Sequence, residues 1–246
     1  MHTKSGTQAF WSGRSSVVKL AGCVAIAASV FAAQRFAHSA EGATRIPLPV
    51  QDESVGATHN ETAVFAGGCF WGVQGVFEHV RGVKQVASGY TGGAASTAQY
   101  ETVSDGDTGH AESVQITYDP TQITYGRLLQ IFFSVVHDPT ELNYQGPDHG
   151  TQYRSAIFPV NPSQRTIAQS YIAQLDHAHV FSGPVVTKVE NFKGFYPAEN
   201  YHQNFLALHP DYPYIAINDM PKVSELKRVF PELYRTDPVL LKVGQS

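Results

Sequence analysis

Apolar residues change between strand and helix spacing along the chain after residue 61. A short apolar run at residues 62–66 ends at a pair of glycines. Four apolar residues then recur at helical spacing, namely Val73, Val76, Phe77 and Val80. A short apolar run followed by an i, i+3, i+4, i+7 repeat predicts a strand, a turn and a helix.

The rest of the pattern predicts a mixed sheet with helices. Apolar stretches at residues 84–90 and 111–118 predict two more strands, and the second is half-buried because its apolar and polar residues alternate. Four later segments predict, in turn, a helix, a strand, a helix and a strand: residues 128–136, 153–160, 168–175 and 184–192. The order β-α-β-β-α-β, followed by a helix, a strand and a helical tail, is typical of a two-layer α+β sandwich.

The N-terminal residues form a separate segment. Residues 20–33 are nearly all apolar, cations precede them, and no Asp or Glu occurs before Glu41. This is typical of a signal peptide, since the apolar run is short for crossing about 30 Å of bilayer. We predict a signal peptide or N-terminal anchor at residues 1–40, a linker at 41–61 and one domain at 62–246. The protein would then be periplasmic, or anchored in the membrane facing the periplasm.

Composition narrows the class of partner. The 246 residues are 42% hydrophobic and 15% charged, which suits one globular domain with a sizeable core. The net charge is -4 and no dense run of Lys and Arg occurs, so the chain lacks the clustered cations that bind nucleic acid or anionic membranes. We expect a monomer, a small substrate group, no nucleic acid, and membrane association only if the N-terminal segment is retained.

Cys69 is the first candidate for chemistry. The chain holds two cysteines, Cys23 and Cys69, and cleavage of the leader would leave Cys69 as a single thiol. Cys69 follows two glycines and opens the predicted helix, where free N–H groups and the helix dipole favour a thiolate. Phe70 and Trp71 come next and could line an apolar slot for a methyl or thioether group. The alternative is that the thiol and both rings belong to the core.

Glu112 is the second candidate. It alternates with Val114, Ile116 and Tyr118 in the predicted third strand, which places it on the buried face. A desolvated carboxyl has a raised pKa and can donate a proton near neutral pH. The alternative is a carboxylate at the strand end that faces water.

A polar, glycine-rich loop at residues 144–158 supplies further candidates, Asp148 and Tyr153. Loops of this composition commonly carry function, although Asp and Gly also stabilise ordinary turns. Tyr100 adds another hydroxyl. The chain has one E-x-x-H step, at residues 199–202, whereas di-metal helical sites need two. We therefore predict no bound metal and no bound cofactor.

Five motifs resemble those of peptide-methionine (S)-S-oxide reductases, the MsrA family. They are GGCFWG at residues 67–72, GYTGG at 89–93, GHAESV at 109–114, DHGTQYRSAIF at 148–158 and FYPAENYHQNF at 195–205. The resemblance covers residues 62–234 and implies a ferredoxin-like sandwich with additional C-terminal helices. It also implies reduction of methionine S-sulfoxide, in proteins or free, as repair of oxidised proteins.

The resemblance implies a role for each candidate residue. Cys69 resembles the nucleophile that attacks the sulfoxide sulfur, and Glu112 resembles the acid that protonates its oxygen. Tyr100 and Tyr153 match the residues that bind the oxygen. Asp148 matches a residue that orders the site, and Phe70 and Trp71 match those that hold the methyl group.

The number of cysteines indicates how the oxidised Cys69 would be reduced again. Attack on a sulfoxide leaves a sulfenic acid on the cysteine. Residues 191–246 contain no resolving cysteine, so the chain resembles the one-cysteine branch of the family. An external thiol, from a thioredoxin-like protein or a small dithiol, would then reduce Cys69.

Two other functional classes remain open on the sequence. A thiol hydrolase or acyl transferase would use Cys69 on a carbonyl, with His110 or His202 as the base. A periplasmic binding module would need the pocket but no reactive thiol. A histidine close to the sulfur would favour the first, and an unreactive thiol the second.

Overall fold

The computed structural model describes residues 42–54 and 60–243. The predicted leader at residues 1–40 lies outside the described residues. Within the described ranges, no helix is both long and apolar enough to cross a membrane.

The sheet combines long central strands with short edge strands. The long strands are β1 (Glu61–Gly67), β2 (Val83–Thr91) and β3 (Ala111–Tyr118). The short ones are β4 (Tyr144–Gln145), β5 (Asp148–His149), β6 (Ser155–Ile157), β7 (Lys188–Val189) and β8 (Tyr196–Pro197). Six of these strands form one sheet in the order β7-β6-β1-β3-β2-β8, while β4 pairs with β5. The β6–β7 pair is parallel and the other pairs are antiparallel, so the sheet is mixed, as predicted.

Helices connect the strands and form the C-terminal part. They are α1 (Phe70–Glu78), α2 (Tyr100–Ser104), α3 (Tyr125–Ile131), α4 (Pro162–His177), α5 (Phe205–Leu208) and α6 (Met220–Val229). A π-helical turn, Phe132–Val136, continues α3, and another, Ile215–Asp219, precedes α6. The elements β1-α1-β2-β3-α3-β6, with α2 and the β4–β5 hairpin inserted, follow the predicted order. The prediction of an α+β sandwich is confirmed.

The main core lies between the sheet and the helices on one face. Phe65 of β1 is fully buried, and its ring centroid lies 5.0–5.8 Å from those of Phe77, Tyr125 and Phe132. These contacts join α1 and α3 to the middle of the sheet, and burying each ring contributes about 1.5–3 kcal/mol. A smaller apolar cluster covers the other face: Val64, Ala66, Ala111, Ala156 and Phe158.

Two predicted strands are shorter in the structure. The strand predicted within residues 153–160 is reduced to β6, because a 3-10 turn ends at Tyr153 and Pro159 offers no N–H to a neighbouring strand. The strand predicted at 184–192 is reduced to β7. It lies at the sheet edge and pairs with β6 alone, so few hydrogen bonds extend it.

Part of the predicted linker at 41–61 is fastened to the domain. Residues 42–54 contain no helix or strand, yet Ile46 is buried and the Tyr171 hydroxyl donates to the Pro47 carbonyl at 2.5 Å. The carboxylates of Asp52 and Glu53 accept hydrogen bonds from backbone N–H groups in the first turn of α3 at 2.8 and 2.6 Å. Since acidic groups stabilise the N-terminus of a helix, this segment helps to hold α3 against the core.

Glu78, at the end of α1, is a buried carboxyl outside the candidate site. Its side chain is fully buried, and neither carboxyl oxygen has a hydrogen-bond partner among the described residues. Desolvation raises the pKa of Glu78 to about 8. The protonated form is therefore the stable one inside the fold at neutral pH.

Replacing Glu78 with glutamine is expected to change how stability depends on pH. The folded-state pKa is raised above 4.5, so the stability that this carboxyl contributes is complete below about pH 4.5 and is lost as pH rises toward about 8. The expected slope difference is up to about 1.4 kcal/mol per pH unit. Urea unfolding of both proteins across this window measures it. Burial lowers the pKa of His79, so this residue makes stability rise with pH in both proteins. The prediction therefore concerns the difference in slope between wild type and Glu78→Gln. Equal slopes would contradict the prediction.

Candidate active site

Cys69 lies at the junction of β1 and α1, as the sequence predicted. It is the N-cap of α1 and its side chain is buried. Gly68 has a φ of +89° and packs on Gln145, so that a Cβ at position 68 would lie only 2.7 Å from the Gln145 Cβ. Two hydrogen bonds to the backbone of Asp138 fix the Gln145 side chain. The glycine before Cys69 is therefore required by both backbone conformation and space.

Glu112 reaches the same helix start from β3. Its carboxyl accepts a hydrogen bond from the Phe70 N–H at 3.0 Å, and its side chain is buried. The prediction that Glu112 lies on a buried face is confirmed. Burial is the main cause that raises the pKa of Glu112 to about 8, and the charges of Asp148 and Asp219 add to it. Glu112 can thus hold a proton at neutral pH beside the residue that follows the cysteine.

The expectation that Cys69 favours a thiolate is wrong for the free protein. Burial raises the pKa of Cys69 well above its ordinary value, and the carboxyls of Glu112, Asp219 and Asp148 raise it further. The Trp71 N–H, which hydrogen-bonds to Cys69, lowers the pKa but does not compensate. The helix start does provide a donor, but desolvation and negative charge outweigh it. Because a protonated Glu112 no longer repels the sulfur, thiolate formation is coupled to a neutral Glu112.

Tyr100 and Tyr153 both interact electrostatically with these two groups. Both side chains are half-buried. Burial is the main cause that raises the pKa of each phenol, and interactions with Glu112 and Cys69 contribute to both shifts. The two hydroxyls therefore stay protonated and can donate hydrogen bonds.

Tyr214 belongs to the site but was not predicted from the sequence. Its hydroxyl donates to Asp148 Oδ2, and burial together with the charge of Cys69 raises the pKa of Tyr214. The hydrogen bond from Tyr214 partly offsets the burial that raises the pKa of Asp148. The only sequence signal was a tail rich in aromatic residues, and nothing in its spacing linked Tyr214 to the β4–β5 loop.

An aromatic wall borders the site. The Trp71 ring stacks on Phe205 with centroids 4.0 Å apart, and the rings of Tyr212 and Tyr214 meet it edge-on. The Trp71 side chain is partly exposed, so its ring can contact a bound apolar group. Phe70 is only 1% exposed, and its ring packs on Tyr90 and His202 with centroids 5.9 and 5.1 Å away, so in this structure it belongs to the core and does not line an open slot.

The two histidines considered as a base for hydrolysis are hydrogen-bonded to groups other than Cys69. His202 Nδ1 accepts a hydrogen bond from the Trp71 indole N–H at 3.1 Å, which leaves the ring proton on Nε2. His110 bonds through its two ring nitrogens to the backbone of Gly93 and Ala94. No histidine in the described ranges is among the groups that shift the pKa of Cys69, which disfavours the hydrolase alternative.

Glu199, the acidic member of the single E-x-x-H step, also has a structural role. Its two carboxyl oxygens accept hydrogen bonds from the Tyr90 hydroxyl at 2.9 Å and from the Tyr100 N–H at 3.0 Å. Glu199 thus anchors the start of α2 and, with it, the Tyr100 side chain.

Taken together, these groups suit a substrate with a polar and an apolar end. A thiol, a protonated carboxyl and two phenols interact electrostatically with one another, and the indole ring of Trp71 follows two residues after the thiol. Such a site can protonate an oxygen atom while sulfur attacks the atom that bears it.

This chain is similar to proteins named as peptide methionine sulfoxide reductases. A family model described as peptide methionine sulfoxide reductase matches residues 61–233. Among curated relatives, the peptide methionine sulfoxide reductase MsrA 2 of Mesorhizobium japonicum is 65% identical over 75% of this chain and 95% of its own length. A protein of the same name from Synechocystis sp. is 52% identical over 76% and 89% of the two chains.

Solved structures agree with this assignment. Reduced Mxr1 from Saccharomyces cerevisiae shares 32% identity with a TM-score of 0.56, covering 63% of this chain and 89% of that one. Methionine sulfoxide reductase A of Corynebacterium diphtheriae also shares 32% identity, with a TM-score of 0.55 and coverage of 68% and 84%. With a family model that matches most of the chain and relatives this similar, the chain belongs to the peptide methionine sulfoxide reductase family.

Proposed function

We propose that this protein reduces methionine S-sulfoxide, in proteins or as the free amino acid, and so repairs oxidised proteins. The observation that carries the proposal is the contact between the Glu112 carboxyl and the Phe70 N–H, directly beside Cys69. It brings a buried proton donor to the buried nucleophile. Sulfoxide reduction needs both, because a sulfoxide is a poor electrophile until its oxygen is protonated.

In the proposed reaction the Cys69 sulfur attacks the sulfoxide sulfur while Glu112 donates its proton to the oxygen. This attack forms a bond between the Cys69 sulfur and the substrate sulfur. The oxygen then moves to the Cys69 sulfur as the substrate S–O bond and the new S–S bond break, so that the thioether leaves and Cys69 becomes a sulfenic acid. The substrate sulfur gains two electrons and Cys69 loses two. The thiol proton restores the proton that Glu112 gave, so the step balances.

The remaining residues orient the substrate. Tyr100 and Tyr153 donate hydrogen bonds to the sulfoxide oxygen, since both phenols remain protonated. Trp71 contacts the methyl group, and the buried Phe70 ring supports this side of the site through His202, on which both rings pack. Asp148, held by Tyr214, orders the side of the site that faces the β4–β5 loop.

Stereospecific turnover tests the proposal. The purified protein with dithiothreitol is expected to reduce the S epimer of a methionine sulfoxide peptide and to leave the R epimer at the uncatalysed rate. Inverting the sulfur exchanges two substituents, so the oxygen of the R epimer cannot face Glu112 while the methyl group faces Trp71. Chromatography of the two epimers and the thioether product measures both rates. Equal turnover of the epimers would contradict the proposal.

We propose that an external thiol recycles the enzyme. Cys69 is the one cysteine of the described residues, and Cys23 is the only other cysteine in the sequence. A first thiol condenses with the sulfenic acid to give a mixed disulfide and water, and a second thiol releases Cys69. A thioredoxin-like protein or a small dithiol supplies both equivalents. We also propose that the protein belongs to the one-cysteine branch of the family and that it is a monomer.

We further propose that the protein acts after export, in the periplasm or anchored in the membrane facing it. The support is the apolar stretch at residues 20–33 with cations before it. Mass spectrometry of the protein recovered from the periplasm would show whether residues 1–40 are removed.

A further inference from the structure

A buried ion pair lies beside the candidate site. Asp219 ends the π-helical turn before α6, and its side chain is fully buried. Its Oδ1 accepts a hydrogen bond from Lys222 Nζ at 3.0 Å, whereas Oδ2 has no hydrogen-bond partner among the described residues. A buried carboxylate that is only half satisfied is costly, so its retention needs a reason.

The pair rests on the first turn of the Cys69 helix. A Cβ at Gly72 would lie 2.1 Å from Asp219 Oδ1 and 3.1 Å from Lys222 Nζ. Position 72 therefore admits no side chain while the pair is in place. Asp219 and Lys222 thus contact the backbone of the turn whose N–H groups serve Cys69 and Glu112.

Acidic side chains outnumber basic ones around Cys69. The acidic and phenolic groups that interact electrostatically with Cys69 come from several elements: Glu112, Asp148, Asp219, Tyr100, Tyr153 and Tyr214. Lys222 supplies positive charge to this group: burial raises the pKa of both Asp148 and Asp219, and the Lys222 charge opposes that shift in each. Its side chain is 24% exposed, so its interactions are only partly screened by water.

We propose that Asp219 and Lys222 are a positioning pair for Cys69, in which Asp219 seats the C-terminal segment on the first turn of α1 and Lys222 balances the carboxyl charge that faces the sulfur. The proposal rests on the proposed function, because it concerns the readiness of the same thiol. Neither residue acts on the substrate. Removing one charge should leave the other uncompensated, so the two single substitutions act on Cys69 in opposite directions.

The rate of Cys69 alkylation by iodoacetamide as a function of pH tests the pair. Lys222→Met is expected to move the midpoint up by about half a unit to one unit, and Asp219→Asn to move it down by a similar amount. Below the midpoint these shifts correspond to rates about three- to tenfold slower and faster, respectively. Lys222→Arg keeps the charge and should restore a profile close to wild type. Peptide mass spectrometry of the full chain separates alkylation of Cys69 from that of Cys23.

A second ion pair on α6 provides the control. Glu225 and Arg228 have the same i,i+3 spacing but lie away from the site, with the Arg228 side chain 56% exposed. Glu225→Gln and Arg228→Met should leave the midpoint unchanged. Shifts of Lys222→Met and Asp219→Asn in the same direction, or no larger than those of the controls, would overturn the proposal.

The test still decides if one variant fails to fold or if the protein does not reduce methionine sulfoxide. If Asp219→Asn does not fold, as thermal unfolding would show, the comparison of Lys222→Met with Lys222→Arg decides: a shift that arginine reverses is expected, and one that it does not reverse overturns the proposal. Alkylation requires no sulfoxide, so a protein that shows these shifts without reducing methionine sulfoxide would contradict the proposed function alone.

Discussion

Replacing Cys69 with serine is expected to abolish methionine sulfoxide reduction, leaving only the uncatalysed rate. Serine has nearly the same size but its hydroxyl is far less acidic and less nucleophilic than a thiol, and it cannot be cycled through a sulfenic acid. No other cysteine of the described residues could replace it. Release of the thioether product, measured with dithiothreitol as the reductant, checks the result.

The matched control uses the other cysteine of the chain. Cys23→Ser should keep the wild-type rate, and both variants should unfold at similar temperatures, because the serine at position 69 fits the same space. Wild-type protein treated with one equivalent of sulfoxide and then with dimedone should carry the adduct on Cys69. Activity near wild type in Cys69→Ser would place the nucleophile elsewhere.

Local patterns predicted the order of the elements and the placement of two candidate residues. Alternation along β3 placed Glu112 on a buried face, and the glycine pair before an amphipathic repeat placed Cys69 at a helix start. Both inferences depend on neighbours within a few residues. Edge strands such as β7 were predicted too long, since their length depends on which partner strand is available.

The protonation of Cys69 could not be predicted in the same way. The sequence shows that a helix begins at the sulfur, but it does not show that Asp148 and Asp219 come from distant parts of the chain to face it. Tyr214 was missed for the same reason, because its hydrogen bond to Asp148 joins the C-terminal segment to the β4–β5 loop. Long-range packing, which leaves little periodicity in a sequence, determines the charge around the thiol.

Coupling between Cys69 and Glu112 makes the carboxyl the second most sensitive position. The raised pKa of Cys69 means that a thiolate forms more readily when Glu112 is neutral. The proton on Glu112 then has two roles, since it permits the thiolate and protonates the substrate oxygen. The rate should therefore fall as pH rises through about 8, where Glu112 loses its proton. A site that needed only a thiolate would show the reverse, with a rate that increases with pH.

Glu112→Gln is expected to lower kcat by about 10²- to 10⁴-fold, the usual contribution of general acid catalysis, with a smaller change in KM. The glutamine carbonyl can still accept the hydrogen bond from the Phe70 N–H, so the fold should persist while the transferable proton is lost. The decline of the rate above about pH 8 should also disappear in the variant. Glu78→Gln is the matched control, because it removes another buried carboxyl with a pKa of about 8 from outside the site and should leave kcat unchanged. Single-turnover formation of the thioether isolates this step from recycling, and a loss of less than about threefold would exclude Glu112 as the proton donor.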